Sequence, residues 1–231
     1  MDFFFNSAIF TNLSQDHLDD HKNYKNYLNA KLYLFENLIK KKGFIITDEK
    51  IPEFKKIKNI SSKKKLKLLT FENKNFELVS HNYKNKVQIL KIKYNNLIYN
   101  LRVNLVGKIQ IKNILMAAIA ASKSNLDLKK ILSVIPKLSP VEGRFENIGT
   151  IKNKSLVFLD YAHTPDALQT CLQNIKEQFP DKNISVAFGC GGDRDKGKRS
   201  KMGKIACRYA DKIYLTDDNP RQESPNKIRE D

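Results

Sequence analysis

No apolar run in the 231-residue chain approaches the 18 or so residues that a membrane span needs. The opening Met1-Asp2-Phe3-Phe4-Phe5 lacks the basic n-region of a secretory signal. Cysteine is scarce: Cys171, Cys190 and Cys207 cannot all pair and show no C-x-x-C spacing. That argues against a disulfide framework or a zinc knuckle and for a reducing compartment, so a cytoplasmic location is expected. Arginine is scarce too, with 7 Arg against 35 Lys and 23 Asn. The net charge of +17 suggests nucleic acid, but phosphate and base readers lean on the guanidinium fork. The lysines are scattered, with Lys40-Lys41-Lys42 and Lys63-Lys64-Lys65 as the only tight runs. They read as solvated surface charge, and no nucleic-acid partner is expected. No G-x-x-x-x-G-K-[ST] phosphate loop and no internal repeat occurs.

What is present is a globular composition, 41% apolar and 29% charged, long enough for one large or two modest domains. Ser7 to Leu13 reads as a buried strand, a helix is expected from about Tyr24 to Lys42 with Gly43 as its stop, and Phe44-Ile45-Ile46 reads as a second strand. Residues 50 to 85 are only weakly patterned. Val87 to Lys93 and Leu97 to Val103 alternate around Tyr94-Asn95-Asn96, a hairpin signal. Helices are expected over Gln110 to Lys123 and Asp127 to Ile135. Two prolines and a glycine between Pro136 and Gly143 mark a boundary, giving domains of 1–139 and 140–231. Beyond it three apolar strands (156–159, 184–188 and 213–215) alternate with helices, as βαβ units on a parallel sheet do.

Each of those strands runs into a polar cluster: Asp160-Tyr161-Ala162-His163-Thr164-Pro165, then Gly189 to Lys196, then Asp217-Asp218-Asn219-Pro220-Arg221. Ligands of open α/β sheets bind at the carboxyl ends of strands, so the loops are expected to converge on one site. Polar βα loops are common without any site, and either reading holds for one cluster taken alone. Thr164, Pro165 and Asp166 form a strong helix start. Cys171 falls on that helix's apolar stripe and reads as core. Lys31 is an anomaly, because Tyr24, Leu28, Phe35 and Leu38 define an apolar face from whose centre it points. It must snorkel, find a partner or be chemically altered. His17, among Asp16, Asp19 and Asp20, suits a capping or surface role as well as a metal site.

Taken in order, Thr11-Asn12-Leu13-Ser14-Gln15-Asp16-His17-Leu18-Asp19, Ala30-Lys31, Gly143-Arg144, Asp160 to Pro165, Gly189 to Arg199 and Asp218-Asn219-Pro220-Arg221 resemble the Mur ligases. Within that family they look like the members that add the third residue of the peptidoglycan stem peptide. The resemblance implies an α/β chain: the second half of a central ATPase domain (1–139), then an incomplete Rossmann-like parallel-sheet C-terminal domain (140–231). It implies amide ligation through an acyl phosphate, with ATP as co-substrate and Mg2+ as cofactor. His17 and a carbamylated Lys31 would hold magnesium, Arg144 would meet the phosphates, and Asp160 and Asn113 would contact the nucleotide. Gln110 and Ile109 stand where the family has asparagine and an aromatic. Arg194, Asp218, Asn219, Pro220 and Arg221 would bind meso-diaminopimelate, and UDP-N-acetylmuramoyl-dipeptide would be the other substrate. The family's phosphate loop and UDP-binding domain would lie upstream and its Gly-Lys-Gly-His-Glu segment downstream. An internal piece, inactive alone, is therefore expected, from a protein that is monomeric when complete. A non-catalytic fragment needing complementing segments and an L-lysine-adding ligase are the alternatives.

Overall fold

The computed structural model describes residues 4–14, 21–73, 76–84 and 87–231. Their contacts separate two compact units, the first holding residues 4–13 and 23–139 and the second residues 14, 21–22 and 140–231.

In the first unit β1 (Phe5–Phe10), β2 (Ile39–Thr47) and β3 (Lys67–Leu69) form a parallel sheet in that order. Parallel neighbours need long crossovers. These are α1 (Tyr24–Asn37), between β1 and β2, and α2 (Phe54–Lys64), between β2 and β3. Leu28, Leu32 and Phe35 of α1 pack with Ile45 of β2 and Ile57 of α2. Helix α1 ends five residues before the sequence suggests, and the lysine run and Gly43 belong to β2. Phe5 pairs with Ile39 and Ser7 with Phe44, so two residues of β1 advance against five of β2. Gly43 sits in that irregularity, where an added Cβ would lie 2.8 Å from the Asn6 carbonyl oxygen. It is a close-approach glycine in a bulge and not a helix stop.

A four-stranded antiparallel sheet follows: β4 (Glu72–Asn73), β5 (Phe76–Lys84), β6 (Val87–Tyr94) and β7 (Leu97–Val103). Asn95 and Asn96 both take positive φ, which is the two-residue turn expected of the β6–β7 hairpin. The weakly patterned stretch holds α2, β3, β4 and β5. Its pattern is faint because Ile57 and Ile60 are the only buried apolar residues of α2, set among lysines. Helices α3 (Lys108–Ser122) and α4 (Leu128–Val134) complete the unit, with Ile111, Leu115 and Met116 of α3 in one core with Leu90 and Ile92 of β6. Buried Gln88 fixes the entry to α3, its amide donating to the Leu105 and Gly107 carbonyls at 2.7 and 3.2 Å.

In the second unit β8 (Glu146–Thr150) and β9 (Leu156–Leu159) form an antiparallel hairpin, while β10 (Ser185–Phe188) and β11 (Lys212–Leu215) form a parallel pair. Strand β9 therefore lies in the ladder of β8 and not in that of β10 and β11, contrary to the single sheet expected. The polar β8 carries no strand pattern, yet it satisfies the backbone of β9 along 146–150. Helices α5 (Pro165–Gln178), α6 (Gly197–Tyr209) and α7 (Pro225–Glu230) follow. Leu168 and Leu172 of α5, Met202 of α6 and Ile228 of α7 share a core with Ile184 and Cys190. The start of α5 is as expected, with Pro165 in the first turn and the Thr164 hydroxyl accepting from the Ala167 N–H at 3.3 Å.

The chain has only 9 glycines, and several of its left-handed corners are held by other residues. Lys42, Lys65, Asn125 and Lys154 have φ between 52° and 63°.

Candidate functional site

The loop after β10 lies against the loop after β11, with no room for side chains between them. A Cβ on Gly189 would lie 2.5 Å from the Thr216 carbonyl oxygen, and one on Gly192 only 1.8 Å from that of Pro220. None of Gly189, Gly191 and Gly192 needs a positive φ, so they are there for space. What they admit is the neighbouring loop. The Gly192 N–H donates to the Asn219 carbonyl at 2.9 Å, and Arg221 Nη1 donates to the Gly192 carbonyl at 2.7 Å. Asn219 folds its side chain onto the Arg221 N–H at 3.1 Å. Arg221 has φ +50°, a left-handed corner directly after Pro220, whose ring fixes its own φ. Asp218 and Arg194 are exposed beside these loops. A Cβ on Gly191 would lie 2.8 Å from Arg221 Nη1 and 3.6 Å from Asp218 Oδ2, which brings Asp218 and Arg221 to one place.

Asp160 has a different setting. Its Oδ2 accepts from the Phe145 N–H at 2.8 Å and its Oδ1 from the Ala162 N–H at 3.0 Å, so the carboxylate pins two backbone segments. Each oxygen keeps lone-pair capacity for a further donor. Arg144, adjacent to Phe145, places its guanidinium 4.8 Å from the centre of the Tyr161 ring, and Tyr161 meets His163 edge-on at 5.4 Å. The Lys198 ammonium donates to the His163 carbonyl at 2.9 Å, tying the loop after β9 to the first turn of α6.

The strongest electrostatic feature was not a candidate from sequence. Arg199, on α6 and 4% exposed, donates to both Glu223 oxygens, Nη1 at 3.1 Å and Nη2 at 2.8 Å, and to Asp231 at 2.6 Å. Lys196 approaches the same Glu223 carboxylate at 3.1 Å. These donors, with the Asp193 N–H, hold the Glu223 carboxyl down at about 2. The Glu223 carboxylate in turn pushes the Arg199 guanidinium further up. An arginine in the middle of a lysine-rich helix was the available signal, since arginine tolerates buried bidentate pairing better than lysine does.

The other candidates lie in the first unit. Asn113 is exposed on α3. Lys31 is exposed as well, so its ammonium reaches solvent. The buried residues of α1 are Tyr27, Leu28, Leu32 and Phe35, and at about 100° per residue Lys31 falls between Tyr27 and Phe35, so its long side chain leaves the stripe by snorkelling. The Tyr24 hydroxyl bonds to the buried Glu53 carboxylate. The Lys31 ammonium rests 5.2 Å from the centre of the Tyr27 ring, a cation–π placement. Neighbouring α3 contributes a pair not foreseen, with Lys112 Nζ 2.6 Å from the buried Asp48 carboxylate at the end of β2. His17 lies outside the described residues.

Cys171 and Cys190 are not reactive centres. Burial and the Asp160 charge push the Cys171 thiol up to about 12, and burial also raises Cys190. Cys207 is exposed. Maleimide labelling of the native chain at pH 8 is expected to modify Cys207 about tenfold or more faster than Cys171 and Cys190. Equal rates for the three would contradict this burial pattern.

Residues 1–121 match the Mur ligase middle domain and residues 143–231 the Mur ligase glutamate ligase domain. The UDP-N-acetylmuramoyl-L-alanyl-D-glutamate--2,6-diaminopimelate ligase of Rickettsia bellii is 40% identical over 228 residues, covering 98% of this chain and 47% of the relative. The protein of the same name from Chelativorans sp. is 36% identical, over 95% of this chain and 46% of its own length. This chain therefore spans about half the length of these relatives. A solved structure of a diaminopimelate ligase matches with a TM-score of 0.63 at 30% identity, over 96% of this chain and 46% of that one. MurF from Acinetobacter baumannii shares the fold, with a TM-score of 0.74 at 15% identity over 91% of this chain. Among the described residues, no helix is long and apolar enough to cross a membrane. From residue 1 to 121 and again from 143 to 231, the chain belongs to the Mur ligase family.

Proposed function

We propose that this chain supplies the amino-acid-binding loops and part of the nucleotide-binding surface of an ATP-dependent ligase. That ligase joins meso-diaminopimelate to UDP-N-acetylmuramoyl-L-alanyl-D-glutamate in peptidoglycan synthesis. The observation that carries the reading is the pair of loops after β10 and β11, where Arg221 is held beside Asp218 on the carbonyl of Gly192, two residues before Arg194. A guanidinium held this way offers its remaining N–H groups to a carboxylate in a fixed direction. Meso-diaminopimelate carries a second carboxylate beside its far ammonium, whereas L-lysine has the ammonium alone, and only the carboxylate suits an arginine.

In the proposed reaction the glutamyl carboxylate of the UDP substrate takes the γ-phosphoryl group of ATP, forming an acyl phosphate and releasing ADP. An amine of diaminopimelate then attacks the carbonyl carbon, phosphate leaves with the C–O bond electrons, and the nitrogen loses a proton to form the amide. Arg144, stacked on Tyr161, would meet phosphate charge, and the spare lone pairs of Asp160 suit a sugar hydroxyl. Asn113, on the exposed side of α3, would contact the base. Lys31 fits a metal role in one respect: its exposed amine is open to carbon dioxide, and a carbamate there offers the anionic oxygens that magnesium prefers. His17 would be the second ligand. Bound magnesium would neutralise phosphate charge as the phosphoryl group transfers.

The test is amide formation by the ligase containing this chain, read as consumption of meso-diaminopimelate and release of ADP and phosphate. Lys31→Ala is expected to lower turnover about a hundredfold or more, with partial rescue by a small carboxylic acid in the buffer. Near-normal turnover of Lys31→Ala would remove the carbamate from the proposal. Absence of any diaminopimelate-dependent ADP release from the unmutated ligase would remove the function itself.

A further inference from the structure

We propose that Glu223 and Arg199 are a positioning pair that sets the spacing of Arg194 and Arg221, and hence the affinity for an amino acid with a second carboxylate. The inference rests on the function proposed above, which assigns those two arginines to the substrate.

The connections run through Glu223 in both directions. Its carboxylate accepts the Asp193 N–H at 2.6 Å, one residue before Arg194. Its own N–H donates to the Pro220 carbonyl at 2.9 Å, closing the turn that carries Arg221. The Asp193 carboxylate answers by accepting the Gln222 N–H at 3.0 Å. Asp193 and Arg221 both hold left-handed backbone, at φ +51° and +50°, conformations that neighbouring contacts must maintain. Behind them Arg199 anchors the arrangement to α6, gripping Glu223 with both terminal nitrogens and reaching the Gly191 carbonyl at 3.4 Å. Neither Glu223 nor Arg199 is placed to touch the amino acid itself. They act through the two loops, and a planar two-point grip on a helix is what fixes a carboxylate in rotation as well as in place.

A contribution to folding alone would lower thermal stability and leave substrate affinity untouched, so the test separates the two. In the ligase containing this chain, Glu223→Gln keeps the size and acceptor oxygen but loses the charge. It is expected to raise KM for meso-diaminopimelate about tenfold, with kcat and KM for ATP changed less than about threefold. Glu223→Asp, charged but one methylene short, is expected to fall between Gln and the unmutated protein. Unchanged KM in both variants would overturn the proposal, as would an equal rise in the KM of ATP and of the amino acid. A second measurement stands apart from any substrate: amide hydrogen exchange in the 231-residue chain. Glu223→Gln is expected to speed exchange at Asp193 and Gln222 while the amides of α5 keep their rates. Unaltered exchange at both would overturn the positioning role even if the ligase proved to use a different amino acid. Faster exchange without diaminopimelate ligation would refute the function and leave the positioning pair standing.

Discussion

Arg221→Ala in the ligase containing this chain is expected to lower kcat/KM for meso-diaminopimelate by a hundredfold to a thousandfold. The size follows from what the side chain loses: a charge-assisted, two-point contact with a carboxylate removed from water, whose loss leaves that carboxylate unpaired. The Gly192 carbonyl orients the guanidinium before substrate arrives, so little rotamer freedom remains to be lost on binding. Arg221→Lys should recover only a small part, because an ammonium is a point charge without the fork. The same physics sets the preference of the unmutated enzyme, in which L-lysine has the far ammonium but no carboxylate to pair with Arg221 and Arg194, leaving both guanidinium groups facing a cation alone. Comparable kcat/KM for meso-diaminopimelate and L-lysine, or the same ratio before and after Arg221→Ala, would defeat the assignment.

Gly192→Ala should be the most damaging of the small substitutions. Its methyl group would lie 1.8 Å from the Pro220 carbonyl oxygen and 2.6 Å from the carbonyl carbon, backbone atoms that cannot rotate away. The loops must separate by an ångström or more. That breaks the Gly192–Asn219 bond and moves the carbonyl on which Arg221 leans. Displacement of this size at a binding group lowers catalysis about a hundredfold. Gly203 on α6 is the control, since a Cβ there meets nothing within 4 Å and Gly203→Ala should leave kinetics unchanged. If Gly192→Ala and Gly203→Ala behaved alike, the close contact of the loops would not be what holds the site.

Elements with strong local chemistry were legible before the structure. The start of α5 announces itself through Thr164, Pro165 and Asp166, and the β6–β7 hairpin through paired asparagines between alternating strands. Helix α1 was overrun because Lys40 to Lys42 are good helix formers and Gly43 resembles a stop, whereas pairing with β1 decides that stretch. The helical period places Lys31 on the apolar face of α1, but its exposure was not legible, because a four-carbon stem lets the ammonium leave that face. In the second unit the motif residues of the loops after β10 and β11 were found by type. Their supports were not, because Arg199 and Glu223 lie 24 residues apart and only the arginine carries a local signal, which does not name its partner. A bidentate pair between separate elements is a property of the tertiary fold.

The way glycine is distributed separates two demands that usually go together. Steric exclusion and left-handed torsion both favour a residue without a β-carbon, yet here they are met by different residues. At 189 and 192 neighbouring backbone atoms occupy the space a side chain would need, and no other residue can substitute without moving them. At 42, 65, 125 and 154 there is only a torsion to satisfy, which lysine and asparagine satisfy at a cost of about 1 kcal/mol each. A chain rich in lysine and asparagine has thereby accepted torsional strain at several corners and kept glycine at 189 and 192, where contact forbids anything larger. The loops after β10 and β11 carry their own strain at Asp193 and Arg221, and the corners at 42, 65, 125 and 154 lie outside them. Thermal tolerance could be improved at those corners without changing the geometry that recognises the substrate.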